Sequence, residues 1–288
     1  MTLDLDFANI RAYPPGEHAG MFNAASAQRQ VAHARLVTHG AILAEVMPRK
    51  FLLVLLGCSA LAAQQVAANY GVTAQYMADF AGHSWTQEPK LTQEEIGTDI
   101  PIGVAPLRPV LHLKGRLPNR ADDNTVEIIP LRDPSVPDFA KAYPKLNSSA
   151  AALRSLLARS QLPGRKEIEK GDPSTVDSEY SLCARVERVE SPWVGGFAFL
   201  VQSTQEAGGS LPNNRELSYQ FLGITKDGAY LVDATFAVNH ASLPTEPTWV
   251  NSRKLRDGEH QLSRWDENAF QPPLSRLRAI IRSLAAVP

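Results

Sequence analysis

The sequence has little of what several protein classes require. Only two cysteines, Cys58 and Cys183, occur in 288 residues. That excludes a framework of several disulfides and a zinc site built from four thiolates. Neither charge is in surplus: 29 Lys and Arg stand against 30 Asp and Glu, a formal net charge of -1. A general binder of nucleic acid needs excess cations to displace counterions from phosphates, so no nucleic-acid partner is expected. A long hydrophobic run is missing too. The most apolar stretch, Phe51 to Ala63, has 13 residues, against the roughly 20 that a spanning helix needs. No G-x-S-x-G elbow, H-E-x-x-H helix, Walker loop or strand-following G-x-G-x-x-G occurs. The histidines at 18, 33, 39, 83, 112, 240 and 260 show no i, i+2 or i+4 pairing of the kind that builds a local metal site. No metal or other cofactor is expected. What remains is ordinary globular material, 44% apolar and 20% charged, too rich in apolar residues for wholesale disorder.

The apolar run has a telling context. Met47-Pro48-Arg49-Lys50 precedes it and Gln64 to Asn69 follows with small side chains. Cations, then an apolar stretch, then small residues is the order of a secretory signal peptide. Residues 47–68 are read as that signal. Val66-Ala67-Ala68 offers small residues for cleavage before Asn69, and Ala60-Leu61-Ala62 offers an earlier site. Leu55-Leu56-Gly57-Cys58 is similar to a bacterial lipobox, which makes Cys58 a candidate for lipidation. The competing account is a buried apolar helix with Cys58 in a core. Export to a periplasmic, cell-surface or secreted location is expected, with membrane contact only through the signal or a lipid anchor. Because the signal begins at residue 47, either Met47 is the true start, with residues 1–46 a translated upstream region, or the chain is anchored with a cytoplasmic tail. The first is preferred.

The first twenty residues support that preference. Leu3-Asp4-Leu5-Asp6-Phe7 alternates as a strand end does, and Ala12-Tyr13-Pro14-Pro15-Gly16 is a turn. Asp4 and Asp6 share one strand face, a geometry that can hold a divalent ion. This stretch resembles the TLDxDF–N–I–YPPGxHxG segment of PIN-like toxin proteins of toxin–antitoxin type. The resemblance implies a metal-dependent nuclease, yet the strands and helices that supply the other acidic residues in that family are absent. Residues 1–46 are therefore read as a PIN-like remnant outside the fold.

Residues 69–288 are read as one exported α+β domain. Pro109 to Gly115 and Thr125 to Leu131 alternate as strands, with Pro130 ending the second or placing it at an edge. Asn147 to Ser160 is predicted helical, with Asn147 or Ser148 as cap and Leu146, Leu153, Leu156 and Leu157 as its stripe. Four strands then follow in series: Ser181 to Val189, Gly196 to Ser203, Glu216 to Ile224 and Ala229 to Val238. Lys226-Asp227-Gly228 is the turn between the last two. Leu274, Leu277, Ile281 and Leu284 recur at helical spacing behind Pro272-Pro273. The 69–81 segment is read as a strand followed by a helix, Thr86 to Ile102 as a loop. The expected fold is an antiparallel sheet, a meander of about four strands plus one or two earlier ones, packed against helices and PsbP-like by analogy of fold.

The second half carries a resemblance of its own. Gly195-Gly196-Phe197-Ala198-Phe199-Leu200, Pro212-Asn213-Asn214-Arg215-Glu216-Leu217-Ser218-Tyr219-Gln220-Phe221-Leu222-Gly223 and Lys226-Asp227-Gly228-Ala229-Tyr230 resemble an uncharacterised family of exported bacterial proteins over residues 109–288. Leu231-Val232 and Ala237-Val238 stand where that family has an aromatic–Val pair and Pro-Val. The resemblance implies compartment and fold but no activity. Candidate chemistry is thin. Cys183, Asp233 and His240 make the sharpest catalytic set, each with a plainer account as a core, sheet-face or loop residue. The turn Asn213-Asn214-Arg215-Glu216 is a candidate recognition surface, although Pro-Asn-Asn is also good turn chemistry. Gly195-Gly196 and Gly208-Gly209 are read as hairpin or bulge residues. The expected function is a non-catalytic binding or accessory domain of the cell envelope, acting on an unidentified partner or ligand. The alternatives are an envelope hydrolase and the PIN-like nuclease.

Overall fold

Seven strands among the described residues form the main antiparallel sheet, beside three short two-stranded pairings. The computed structural model describes residues 70–71, 79–88, 105–117, 120, 123–174, 179–204, 209–250 and 252–286, all within the unit Leu61–Pro288. The remnant, the signal, Asp4, Asp6 and Cys58 lie outside the described residues. The strands are β1 (Gly82–Glu88), β2 (Arg108–Lys114), β3 (Thr125–Pro130), β4 (Glu179–Glu190), β5 (Val194–Thr204), β6 (Ser218–Thr225) and β7 (Tyr230–Ala237). Their order across the sheet is β1-β2-β3-β7-β6-β5-β4. The predicted four-strand meander is present as β4 to β7. A second meander, β1 to β3, joins it where β3 pairs with β7, Glu127 opposite Asp233. Pro130 closes β3 in the middle of the sheet, so it ends a strand rather than marking an edge.

Period-two alternation sends side chains to both faces, and both faces are covered. On one face, Leu111, Val126, Ala198, Leu200, Tyr219, Phe221, Val232 and Phe236 pack with Leu274, Leu277, Ile280 and Ile281 of the C-terminal helix. On the other, Phe197, Phe199, Val201, Leu222, Ile224 and Leu231 pack with Leu146, Leu153, Leu156 and Ile168. The helices are α1 (Phe139–Ala142), α2 (Pro144–Leu157), α3 (Arg165–Gly171), α4 (Ser252–Arg264) and α5 (Leu274–Ser283). The architecture is α+β, an antiparallel sheet between two helical layers. Helix α2 starts three residues before the predicted start. Pro144 takes the first position, where its missing N–H costs nothing, and neither Asn147 nor Ser148 caps it. The Ser148 hydroxyl instead donates to the Lys145 carbonyl at 2.8 Å.

Strand β4 is an edge, and neighbouring side chains take up its outward backbone groups. Tyr180 N–H donates to Glu169 Oε1 (2.7 Å), Arg165 donates to the Ser181 carbonyl (2.9 Å), and Cys183 N–H donates to Glu259 Oε1 (3.0 Å). Helices α3 and α4 thus close an edge that would otherwise template pairing with another chain. Strand β1 (Gly82–Glu88) corrects one reading: residues 86–88 are extended where a loop was expected, and residues 82–85 had no assignment. Its side chains are mostly polar, so it carries little alternation. Helices α3 and α4 were likewise unpredicted.

Two glycines are dictated by geometry. Gly228 takes φ 69 in the turn between β6 and β7, and Asp227 accepts from Thr225 Oγ1 (2.6 Å) and Ala229 N–H (3.0 Å). Gly196 sits mid-strand opposite Gly223, not in a hairpin or bulge. A Cβ there would lie 2.2 Å from the Leu222 carbonyl oxygen and 2.6 Å from the Phe221 ring. Gly196→Ala is expected to destabilise the fold by about 3 kcal/mol, because backbone cannot yield as a side-chain tip does. A urea titration comparing midpoints checks it; an unchanged midpoint contradicts the packing described here.

Candidate functional site

The face covered by α2 and α3 changes character partway across. Under the helices it is apolar. Toward β1 it becomes a band of polar side chains. Register places Ser84, His112, Thr125, Thr235 and Gln220 in one cross-strand row, and Thr86, Val110, Glu127 and Asp233 in the next. These positions alternate with residues of the opposite core, such as Leu111, Val126 and Ala234, so they share the helix-bearing face. The four strands from β1 to β7 span about 14 Å at the usual ~4.8 Å spacing.

The band is anchored at its inner end by a buried network. Gln220 lies on β6, every residue of which is buried, so its amide must find partners. It donates to Asp172 Oδ2 (3.3 Å) and to Asp233 Oδ1 (3.2 Å). The Tyr180 hydroxyl donates to Asp172 Oδ2 and lies 3.0 Å from Gln220 Oε1. Asp172 is fully buried at the end of α3. Its other oxygen accepts from the Ser174 N–H and hydroxyl, both at 2.7 Å. A carboxylate so deeply placed is sustained by its donors, since burying it without them costs several kcal/mol. Burial pushes the Tyr180 hydroxyl well above the usual phenol range, and the Asp172 carboxylate beside it adds to the shift. Tyr180 is thus a fixed hydrogen-bond donor.

Toward the outer strands an ion pair and a hydrogen-bonded cluster stand side by side. Arg108 Nε donates to Glu127 Oε2 at 2.6 Å, the two side chains only 12% and 18% exposed. Arg108 Nη1 is buried and has no hydrogen-bond partner. Thr86 Oγ1 donates to Glu88 Oε1 (3.0 Å) and accepts from His112 Nε2 (2.9 Å). His112 Nε2 is also 3.4 Å from Glu88. A threonine, a histidine and a carboxylate in contact suggest a nucleophile and its base. Here the hydroxyl and the carboxylate meet the same ring nitrogen, so Glu88 cannot orient the imidazole from the far side as a triad requires. Among the described residues no group of three His, Cys, Asp or Glu stands together to hold a metal ion.

The sequence-predicted residues fall in three separate places. Asp233 belongs to the polar band. Cys183 is three strands away on edge strand β4, packed beside the α2–α3 core. Burial pushes its thiol up to about 12, with the Glu259 carboxylate adding to the effect, the opposite of an activated nucleophile. His240 lies on the other side of the sheet, its ring stacked on Trp265 at 3.8 Å and tilted against Phe270. Its Nδ1 accepts from Ser242 N–H at 3.2 Å, and burial lowers its pKa. The three do not converge. The Asn213–Glu216 turn is largely internal bracing. Asn213 is fully buried and donates to Ser210, the Leu211 carbonyl and Glu216. Asn214 clamps the His240 segment through His240 N–H, the His240 carbonyl and the Leu243 carbonyl. Of the four, Arg215 alone is exposed, and it pairs with Glu246 at 2.9 Å.

Asp172, Tyr180, Gln220, Arg108, Glu127, Thr86 and His112 were missed from the sequence. Comparison with protein-family models, curated proteins and solved structures gave no match.

Two measurements check these environments. The His112 hydrogen bond, with help from Thr86, holds the Glu88 carboxyl down to about 2 from 4.5. A carboxyl lowered on folding stabilises above its unfolded pKa, and that stabilisation is lost as pH falls through the folded value. The stability gap between the wild type and Glu88→Gln is therefore expected to close as pH drops from about 4.5 to about 2. It should stay below about 1 kcal/mol, because the pair is partly solvated. A gap independent of pH contradicts the pairing. For Cys183, alkylation by iodoacetamide, followed by peptide mass, is expected to be slow at neutral pH and still rising beyond pH ~9, where an ordinary thiol has levelled off. Early saturation would contradict the buried setting.

Proposed function

We propose that this chain is an exported, non-catalytic binding domain of the bacterial cell envelope, and that it uses the polar half of the sheet face on which α2 and α3 pack. One observation carries the binding part. Polar side chains from β1, β2, β3, β7 and β6 are aligned in register and held in place by mutual hydrogen bonds. Preorganised polar groups on rigid strands lose little entropy when a ligand arrives. The export part rests on the cation–apolar–small order of residues 47–68 and on the resemblance of residues 109–288 to exported proteins. A hydrolase acting through Cys183, Asp233 and His240 has against it the separation of these residues onto two sides of the sheet. No described helix is long and apolar enough to cross a membrane, and membrane contact in this reading runs through the signal or a lipid on Cys58.

The test is fractionation of a Gram-negative host expressing the full chain, with intact-mass measurement of each fraction. The reading expects a processed chain beginning near Asn69 in the periplasmic or secreted fraction, or an acyl adduct on Cys58 in the membrane fraction. A full-length cytosolic product contradicts export.

A further inference from the structure

We propose that the outer face of α4, together with Trp249 just ahead of it, docks on an anionic phospholipid surface. This contact lies beside the β4 edge, away from the polar band, and does not rest on the binding role proposed above. Helix α4 spends one face on the fold. Leu255, Gly258, Glu259 and Leu262 recur at i, i+3, i+4 and i+7 and point inward. Leu255 and Leu262 are buried, a Cβ on Gly258 would meet Pro212 at 2.8 Å, and Glu259 reaches the Cys183 N–H and Arg165. The other face carries Arg253, Arg256, His260 and Arg264, all exposed, in a row about 16 Å long. Exposed Lys254 flanks the row, and Asp257 is the one exposed carboxylate of the helix. Among the described residues, no ion pair includes Arg253, Arg256 or Arg264.

Helix stability does not account for this row. Arg253 and Lys254 stand in the first turn, which holds no acidic residue. The positive end of the helix dipole disfavours cations there, and only Arg264, in the last turn, is well placed for it. The second observation is Trp249, a large apolar side chain 44% exposed. It lies on the short strand Trp249–Val250, which pairs with Gly209–Ser210. A Cβ on Gly209 would lie 3.1 Å from Leu255 of α4, so the strand that holds Trp249 in place also packs on the helix. Along the chain, Trp249 is at most about 14 Å from Arg253. Guanidinium groups pair well with phosphate oxygens. Set in a line on a convex face rather than converging on a point, they suit an array of phosphates better than one small anion. The indole selects a bilayer, because tryptophan is favoured at headgroup level, its ring in apolar surroundings and its N–H wet. A net charge of -1 disfavours a long polyanion that wraps the molecule, whereas a flat bilayer meets this one face alone. The apolar side of α4 is already used in the fold, so the contact is superficial and salt-sensitive.

The experiment is co-sedimentation of the full chain with vesicles of phosphatidylcholine alone and of phosphatidylcholine with about a third phosphatidylglycerol. Each is run in dilute buffer and in about 1 M NaCl, where charges are screened beyond about 3 Å. The wild type is expected to bind the anionic vesicles more tightly than the neutral ones and to lose that excess in high salt. Each arginine near such a surface is worth about fivefold, so Arg253→Gln/Arg256→Gln/Arg264→Gln should lose on the order of a hundredfold while circular dichroism stays native. Tryptophan emission should shift to the blue on binding, and Trp249→Ala should remove the shift and weaken binding several-fold. Equal binding to both vesicles, or anionic binding that survives the triple substitution or high salt, assigns the contact to the apolar run Phe51 to Ala63 and overturns the proposal. An emission that does not shift removes Trp249 from the contact and overturns the bilayer assignment. Binding of a double-stranded DNA oligomer without vesicle binding, or no binding at all, overturns it as well. None of these outcomes bears on the polar band.

Discussion

The side-chain amide of Gln220 is the constraint around which this sheet is organised. It lies on a strand buried along its whole length, in a row whose other members change from apolar to polar at that point. Phe199 is its neighbour on one side and Thr235 on the other. A single apolar residue there would leave Asp172 and Asp233 short of a donor, each buried or half-buried. Satisfying both carboxylates from one amide fixes the end of α3 against the middle of the sheet. It also marks the line where helical cover gives way to the polar band.

The rest of the molecule follows from covering what that line leaves. On the apolar side, α2 and α3 bury Phe197, Phe199 and Leu222. On the opposite face, α5 buries Tyr219 and Phe221, and the Tyr219 hydroxyl donates to Glu187 at 2.8 Å, a carboxylate that Arg278 of α5 also grips. Side chains from α3 and α4 finish the β4 edge. These are structural tasks, and they account for Cys183, His240, Asn213 and Asn214. Among the described residues, the polar side chains between Gln220 and Glu88 have no such task. Val110 is buried between them, yet the polar ones are aligned and mutually held.

Much of the fold was legible from local pattern. Strands β2, β3 and β5 to β7 alternate strongly, and α5 carries its stripe at helical spacing. Strand β1 did not read as a strand because an outer strand needs few apolar side chains, and Trp85 alone gives it a core contact. Helix α4 hid for a related reason: only Leu255 and Leu262 among its apolar residues are buried, with Gly258 between them. The site was far less legible. Asp233 stood out as a charge in an apolar strand, but its neighbours come from pairings across long stretches of chain. Glu127 opposite Asp233 depends on β3 finding β7, which no periodicity carries. The usable signal was the polar member of each alternation, Arg108 and His112, Thr125 and Glu127, Gln220, Asp233 and Thr235. Of these only Asp233 drew a reading, as a sheet-face residue; the others drew none.

The central claim is that the polar half of this face is a binding surface and the apolar half is scaffold. Backbone amide chemical-shift mapping during separate titrations with neutral, anionic and cationic small molecules (glucose, citrate and spermidine) tests it most directly. The account predicts perturbations concentrated on Thr86, Arg108, His112, Thr125, Glu127, Asp233 and Thr235, with Phe197, Leu222 and helix α2 unmoved. Perturbations centred on the α2–α3 side, or on the His240–Trp265 side of the sheet, would contradict it.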